Sequence, residues 1–161
     1  MVKIALQIKA NLENVTELTP DGEDFRWYLK FQCTNCGEGS DKWTYLSESE
    51  KVSMKGSRGE ANLVIKCKLC SRDCSIDILP NTISKYMVED SNIFKSIVAF
   101  DCRGVSITDF SPRNGFKCRG VESNTLFEDV NLEEREWVDY DEKQNQPVGI
   151  YEVQHQFVVT K

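Results

Sequence analysis

Two cysteine pairs, Cys33-Thr34-Asn35-Cys36 and Cys67-Lys68-Leu69-Cys70, constrain this chain more than any other feature. Four thiolates close a tetrahedral shell around zinc and leave no position for water. Such a shell suits a structural site and cannot serve hydrolysis. The segment between the pairs, 37 to 66, is 30 residues long. That exceeds the roughly 15 to 20 residues of the commonest spacing, so a hairpin of ordinary length plus a loop must bring the two hooks together. Gly37 follows the first hook, where a metal knuckle often needs a positive φ that glycine takes without steric cost. The second hook has no such glycine, but Lys66, Lys68 and Arg72 bring positive charge to its thiolates. Strand-like runs enter both hooks, Phe25 to Phe31 and Ala61 to Lys66, which is how a zinc ribbon is built.

Two other chemistries use the same motif. Disulfides need an oxidising compartment, and Met1 to Ala10 alternates polar and apolar residues without the apolar core of a signal segment. A redox Cys-x-x-Cys usually opens a helix, whose dipole lowers the first thiol's pKa. Neither hook is followed by a helical pattern. Zinc on Cys33, Cys36, Cys67 and Cys70, one ion per chain, is therefore the expectation, in a reducing cytoplasmic setting that extends to the nucleus.

The formal net charge is −6, and a zinc tetrathiolate adds about −2 more. Many zinc ribbons bind nucleic acid, but a phosphate backbone calls for a Lys/Arg footprint that this balance lacks. Only a local basic stretch, Lys51 to Arg58 with Lys55 between, points the other way. No apolar run approaches the ~18 residues of a membrane span. The expected partner is accordingly a protein, with neither nucleic acid nor membrane, and the chain itself is expected to be a monomer. Asn14-Val15-Thr16 matches a glycosylation sequon that an intracellular chain would not use.

The hydrophobic pattern is β throughout. Ile4, Leu6, Ile8, Ala10 and Leu12 alternate with other residues, as do Phe25, Trp27, Leu29 and Phe31, and Tyr151, Val153, His155, Phe157 and Val159. Period two marks half-buried strands. No stretch sustains a 3.6-residue period; Thr82 to Tyr86 and Leu132 to Glu136 are the best short-helix candidates. Val15-Thr16-Glu17-Leu18-Thr19-Pro20 matches Ile107-Thr108-Asp109-Phe110-Ser111-Pro112 at an offset of 92 residues, and at that offset Leu6, Ile8 and Ala10 fall on Val98, Phe100 and Cys102. Self-similarity at a fixed offset marks a repeat. The expected fold is mainly β, two pseudosymmetric sandwich- or barrel-like units in one compact chain. Residues 1–80 form the zinc-binding half with its ribbon-like knuckles, 81–94 the connection, and 95–161 a metal-free half.

The remaining reactive residues suggest structure rather than chemistry. Cys74 could be an alternative ligand but reads better as a small buried strand residue; Cys102 fits an inward strand position, and Cys118 receives no role. His155, the only histidine, alternates in phase with apolar neighbours and has no identifiable catalytic partner. Glu133, Glu134, Glu136, Asp139, Asp141 and Glu142 lack the spacing and glycine of a calcium loop and read as a solvated face. Gly56-Ser57-Arg58-Gly59 lacks the ending of a phosphate loop and reads as a turn.

A resemblance runs nearly end to end. It is carried by Lys3-Ile4-Ala5-Leu6-Gln7, Gly22-Glu23-Asp24-Phe25-Arg26-Trp27-Tyr28-Leu29-Lys30, Cys33-x-x-Cys36-Gly37-Glu38, Ser40-Asp41-Lys42-Trp43, Lys66-Cys67-Lys68-Leu69-Cys70, Gly120-Val121-Glu122-Ser123, Trp137-x-x-Tyr140-Asp141-Glu142-Lys143 and Val148-Gly149-Ile150-Tyr151-Glu152-Val153. On these residues the chain resembles the eukaryotic CXXC-motif-containing zinc-binding protein family. The resemblance implies a small β protein of two pseudosymmetric halves with zinc on the paired hooks, and implies no particular reaction. The functional expectation is a non-enzymatic, zinc-stabilised module that binds another protein. The alternatives are a thiolate metal-handling protein that exchanges zinc or takes up Cu(I), since thiolates favour both ions, and then a thiol oxidoreductase.

Overall fold

The computed structural model describes residues 2–54 and 59–160. Lys55, Gly56, Ser57 and Arg58 lie outside them, and with them most of the expected Gly56–Gly59 turn and the end of the basic stretch. In the first half the strands are β1 (Val2–Glu13), β2 (Val15–Pro20), β3 (Trp27–Cys33), β4 (Thr44–Leu46), β5 (Val52–Ser53), β6 (Glu60–Ala61), β7 (Leu63–Lys66) and β8 (Asp73–Leu79). The second half holds β9 (Lys95–Arg103), β10 (Val105–Ser111), β11 (Phe116–Gly120), β12 (Leu126–Val130), β13 (Trp137–Asp141) and β14 (Gln146–Thr160). The alternation read from the sequence places Ile4, Leu6, Ile8, Ala10 and Leu12 in the core.

Among the described residues there is no α-helix. Thr82 ends a single 3₁₀ turn, Pro80–Thr82, and the chain then runs extended to Tyr86, which exchanges backbone hydrogen bonds with Leu18 at 2.8 and 2.9 Å. Leu132–Glu136 is a turn closed by Arg135 N–H on the Leu132 carbonyl, 2.8 Å. Both segments are too short to repay helix nucleation, and the burial of Tyr86 and Leu132 fixes them in other conformations.

The strand order shows the repeat more clearly than the sequence does. A six-stranded sheet runs β13-β14-β1-β9-β8-β7, flanked by β10-β3-β4 and β12-β11-β2, with β5-β6 a separate hairpin. Exchanging β1 with β9, β2 with β10, β3 with β11, β4 with β12, β7 with β13 and β8 with β14 reproduces every pairing outside that hairpin. The halves interlock: β1 pairs only with β14 and β9, and β2 with β11. One core spans both. Trp27 stands edge-on to Phe100, 6.0 Å between centroids, and tilted against Phe110, 6.1 Å; Phe25 meets Phe116 at 4.8 Å.

The register of the repeat differs from the sequence expectation. β1 passes into β2 through Asn14 (φ 59°), and β9 into β10 through Gly104 (φ 74°), two hinges 90 residues apart. The ladders agree: Thr19 faces Lys117 as Asp109 faces Lys30, and each ladder shifts register just before this pair. The sequence match of 92 is therefore slipped by two. A slip of two keeps every side chain on its own face, so hydrophobic alternation could not detect it.

Candidate metal centre

β3 ends in the first hook, and β7 leads into the second, which turns back into β8. The two hooks are built alike. Cys33 N–H donates to the Glu38 carbonyl and Gly37 N–H to the Cys33 carbonyl, both 2.9 Å; Cys67 N–H donates to Arg72 and Ser71 N–H to Cys67, again both 2.9 Å. Gly37 sits at φ 81° and Ser71 at φ 64°, so the second hook adopts the left-handed knuckle without a glycine. A Cβ at Gly37 would meet only Gln32 Nε2 at 3.8 Å; conformation, not space, selects the glycine. Gly37→Ala should accordingly lower stability by about 1 kcal/mol, and Ser71→Gly should raise it by a smaller amount. Denaturant midpoints of the two variants check this; an unchanged midpoint for Gly37→Ala would show that the knuckle is unstrained.

The hooks bring all four sulfurs within 4.8 Å of one another. Across the hooks, Cys33 Sγ lies 3.7 Å from Cys70 Sγ and Cys36 Sγ 3.5 Å from Cys67 Sγ. Zinc–sulfur bonds of ~2.3 Å in a tetrahedron demand sulfur–sulfur edges of about 3.8 Å. The donor set thus fits zinc in kind, number and spacing. Cys33 is buried, Cys67 and Cys70 are half-buried and Cys36 is exposed, so the cluster lies at the surface.

Its electrostatics are those of a site that wants a cation. The Asn35 side chain and the Arg72 N–H, both hydrogen-bonded to the Cys70 sulfur, lower that thiol to about 6. The Cys36 N–H, aided by the Asn35 N–H, holds the Cys33 thiol below its ordinary value. Cys36 receives the Glu38 N–H, yet desolvation and the three neighbouring thiols push it up to about 12. Amide dipoles stabilise the first thiolates, and further negative charge in the cluster is opposed until a cation neutralises it. The Asn35 amide and Gln32, whose Nε2 donates to the Gly37 carbonyl at 2.9 Å, are supporting groups that sequence reading passed over.

Cys74 lies apart from this cluster, buried in β8. Its thiol donates to the Gly104 carbonyl at 3.3 Å, and burial raises its pKa. Burial likewise drives Cys102 and Cys118 up to about 12. His155 does have partners. Arg135 Nη1 lies 3.1 Å from its Nδ1 and Asp109 Oδ1 3.1 Å from its Nε2. Arginine can only donate, so Nδ1 accepts and Nε2 carries the proton to Asp109. Burial and Arg135 keep the ring's pKa below the ordinary value against the pull of Asp109. Neither ring nitrogen is left to act on a substrate.

One residue of the acidic run departs from expectation. Asp141 is fully buried. Its carboxylate accepts hydrogen bonds from Ser123, Thr125 Oγ1 (3.2 Å) and Lys143 N–H (3.0 Å). The Ser123 hydroxyl first, then backbone N–H groups and Thr125, hold its pKa below the usual carboxylate range. Beside the hooks a cavity of about 340 Å³ opens, lined by Phe31, Ile65 and Val105 and by Lys42, Lys66 and Lys68.

Comparison with known proteins assigns the architecture. The profile of the CXXC motif containing zinc binding protein, eukaryotic, matches residues 5–158. The chain belongs to this eukaryotic family of CXXC zinc-binding proteins. It is 60% identical over 158 residues to the CXXC motif containing zinc binding protein of Homo sapiens, covering 98% of this chain and 99% of that one. It is 47% identical to the UPF0587 protein CG4646 of Drosophila melanogaster, covering 100% and 99%. The crystal structure of C1orf123 superposes with a TM-score of 0.95 at 59% identity, covering 98% and 99% of the two chains. A hypothetical protein from Plasmodium falciparum superposes with a TM-score of 0.89 at 28% identity, covering 98% and 100%. The family's zinc binding and the four-cysteine cluster agree. Among the described residues, no helix is long and apolar enough to cross a membrane.

Proposed function

We propose that Cys33, Cys36, Cys67 and Cys70 bind one zinc ion as a structural clamp, and that the chain is a non-enzymatic module that docks another protein. The observation that carries the metal reading is the pair of cross-hook sulfur distances, 3.5 and 3.7 Å, close to the tetrahedral edge. Bound zinc would offset half of the thiolate charge and fasten the β3 end to the β7–β8 turn, so its binding energy becomes folding energy. The docking surface lies on the same end of the molecule. Leu69, at the tip of the second hook, is 67% exposed, and the adjoining cavity offers apolar walls and three lysines. The acidic balance of the whole chain disfavours nucleic acid. Hook thiols must stay reduced until metal loads, and this supports a cytoplasmic setting that extends to the nucleus. The working form in this reading is a monomer.

The exposure of Cys36 favours one second reading, a metal-handling site that exchanges zinc or Cu(I), because transfer needs an accessible sulfur. Alkylation of the zinc-loaded protein, followed by peptide mass spectrometry, separates the two. A structural clamp leaves the four hook cysteines unmodified until a chelator is added, because coordination removes the free thiolate. Rapid labelling of Cys36 in zinc-loaded protein would overturn the clamp in favour of exchange.

A further inference from the structure

The exchange of strands between the halves carries the hooks onto a second pair of turns. Cys33 faces Val105 in the β3–β10 ladder, and Gly120 faces Val15 in the equivalent β11–β2 ladder. Gly120 N–H donates to the Thr125 carbonyl at 2.9 Å and Asn124 N–H to the Gly120 carbonyl at 3.1 Å, the same two bonds that close the first hook. Asn124 (φ 61°) stands where Gly37 does, and Asn145 (φ 50°), between β13 and β14, where Ser71 does. Asp141 faces Gln146 across β13–β14, as Cys67 bonds Arg72. The cysteine positions of the hooks therefore fall on Gly120, Ser123, Asp141 and Gln144.

The contacts follow the same map. Cys36 Sγ meets Cys67 Sγ, and Ser123 hydrogen-bonds the Asp141 carboxylate. The Glu38 N–H is hydrogen-bonded to the Cys36 sulfur, and Thr125 N–H donates to Ser123 Oγ at 3.1 Å. A Cβ built on Gly120 would point into the same spot, 2.7 Å from Asp141 Oδ2 and closer still to Ser123 Oγ. The glycine has a physical reason. A hydrogen bond between oxygens is shorter than the ~3.8 Å edge of a zinc tetrathiolate, and while the Ser123 and Asp141 oxygens fill that spot a Cβ at residue 120 would meet them.

We infer that the second half carries a latent metal centre at Gly120, Ser123, Asp141 and Gln144, in which the hydrogen bonds of Asp141 fasten the turns as zinc fastens the hooks. This rests on the clamp proposed above. Asp141 ties together three backbone segments: the β11–β12 turn through Ser123 and Thr125, its own strand end, and the β13–β14 turn through Lys143 and Gln144 N–H. Only the end held by zinc then responds to a chelator; the other end is held by groups that no chelator or oxidant removes.

Two experiments test this. In the first, Gly120→Cys, Ser123→Cys, Asp141→Cys and Gln144→Cys are combined in the full chain, which is reconstituted with zinc in reducing buffer, and bound zinc is counted. Two ions per chain support the latent centre. One ion overturns it and leaves the clamp standing. None, with the unsubstituted chain also binding none, overturns the clamp itself. Because the fourfold variant can fail to fold, the second experiment uses the unsubstituted protein and Asp141→Ala, followed by amide hydrogen exchange. Chelation should raise exchange at least tenfold in residues 32–40 and 64–74 and leave 118–126 and 139–147 protected. Asp141→Ala should produce the converse pattern. Opening of the same segments by both treatments, or retained protection at 118–126 and 139–147 in Asp141→Ala, would overturn the equivalence.

Discussion

Cys36→Ser is expected to abolish zinc binding at micromolar protein and to destabilise the chain by several kcal/mol. Removing one thiolate leaves three sulfurs held within 4.8 Å of one another, with an open coordination position in place of a closed shell. The loss is the binding free energy that the folded state no longer collects, on the order of 4 kcal/mol where free zinc stands a thousandfold above Kd. Because the hooks anchor the end of β3 and the turn between β7 and β8, the effect should appear first as lost protection there. Metal analysis with a denaturation curve checks it. Full zinc content with an unchanged midpoint would remove Cys36 from the ligand set.

Residues 1–80 and 95–161, expressed separately, should each fail to fold. We propose that these segments are the two copies of a repeat, joined by 81–94, and that the folding unit is the whole chain. The reason lies in the strand order. In 1–80, β1 has neither of its partners, β2 lacks β11, and β8 lacks β9. In 95–161, β10 lacks β3, and β9 has neither β1 nor β8. Each fragment would expose unpaired strand edges and half a core, since Trp27 rests on Phe100 and Phe110 from the other segment. Tyr86, within the connection, is itself fully buried and bonded to Leu18. A cooperative unfolding transition by 1–80 alone would show an independent domain instead.

Local signals were enough for much of this. Side-chain alternation identified β1, β3 and β14 because a strand's buried face repeats every two residues regardless of its partner. The hooks were legible because their four cysteines stand at fixed short spacings. The buried setting of Cys102 followed from the same alternation, and that of Cys74 from the tendency of free cysteine to be buried. The register of the repeat was not legible, since a slip of two residues leaves the pattern unchanged. Asp141 was read as part of a solvated acidic face because its burial depends on Ser123 and Thr125, which reach it only through the pairing of β11 with β2 and β12. His155 gave no sign of Arg135 or Asp109, which lie 20 and 46 residues away along the chain.

The sequence by itself determined what depends on neighbours along the chain: the β character, the two thiolate pairs, the presence of a repeat and the acidic balance. Tertiary structure alone decided which strands pair, that the copies exchange them, and which end of the molecule brings four sulfurs together. The physical reason is range. Alternation and hook spacing act over two to four residues, whereas strand partnership and the meeting of the hooks are settled by burying one shared core, whose contacts join Phe25 to Phe116 and Trp27 to Phe100, 91 and 73 residues apart along the chain.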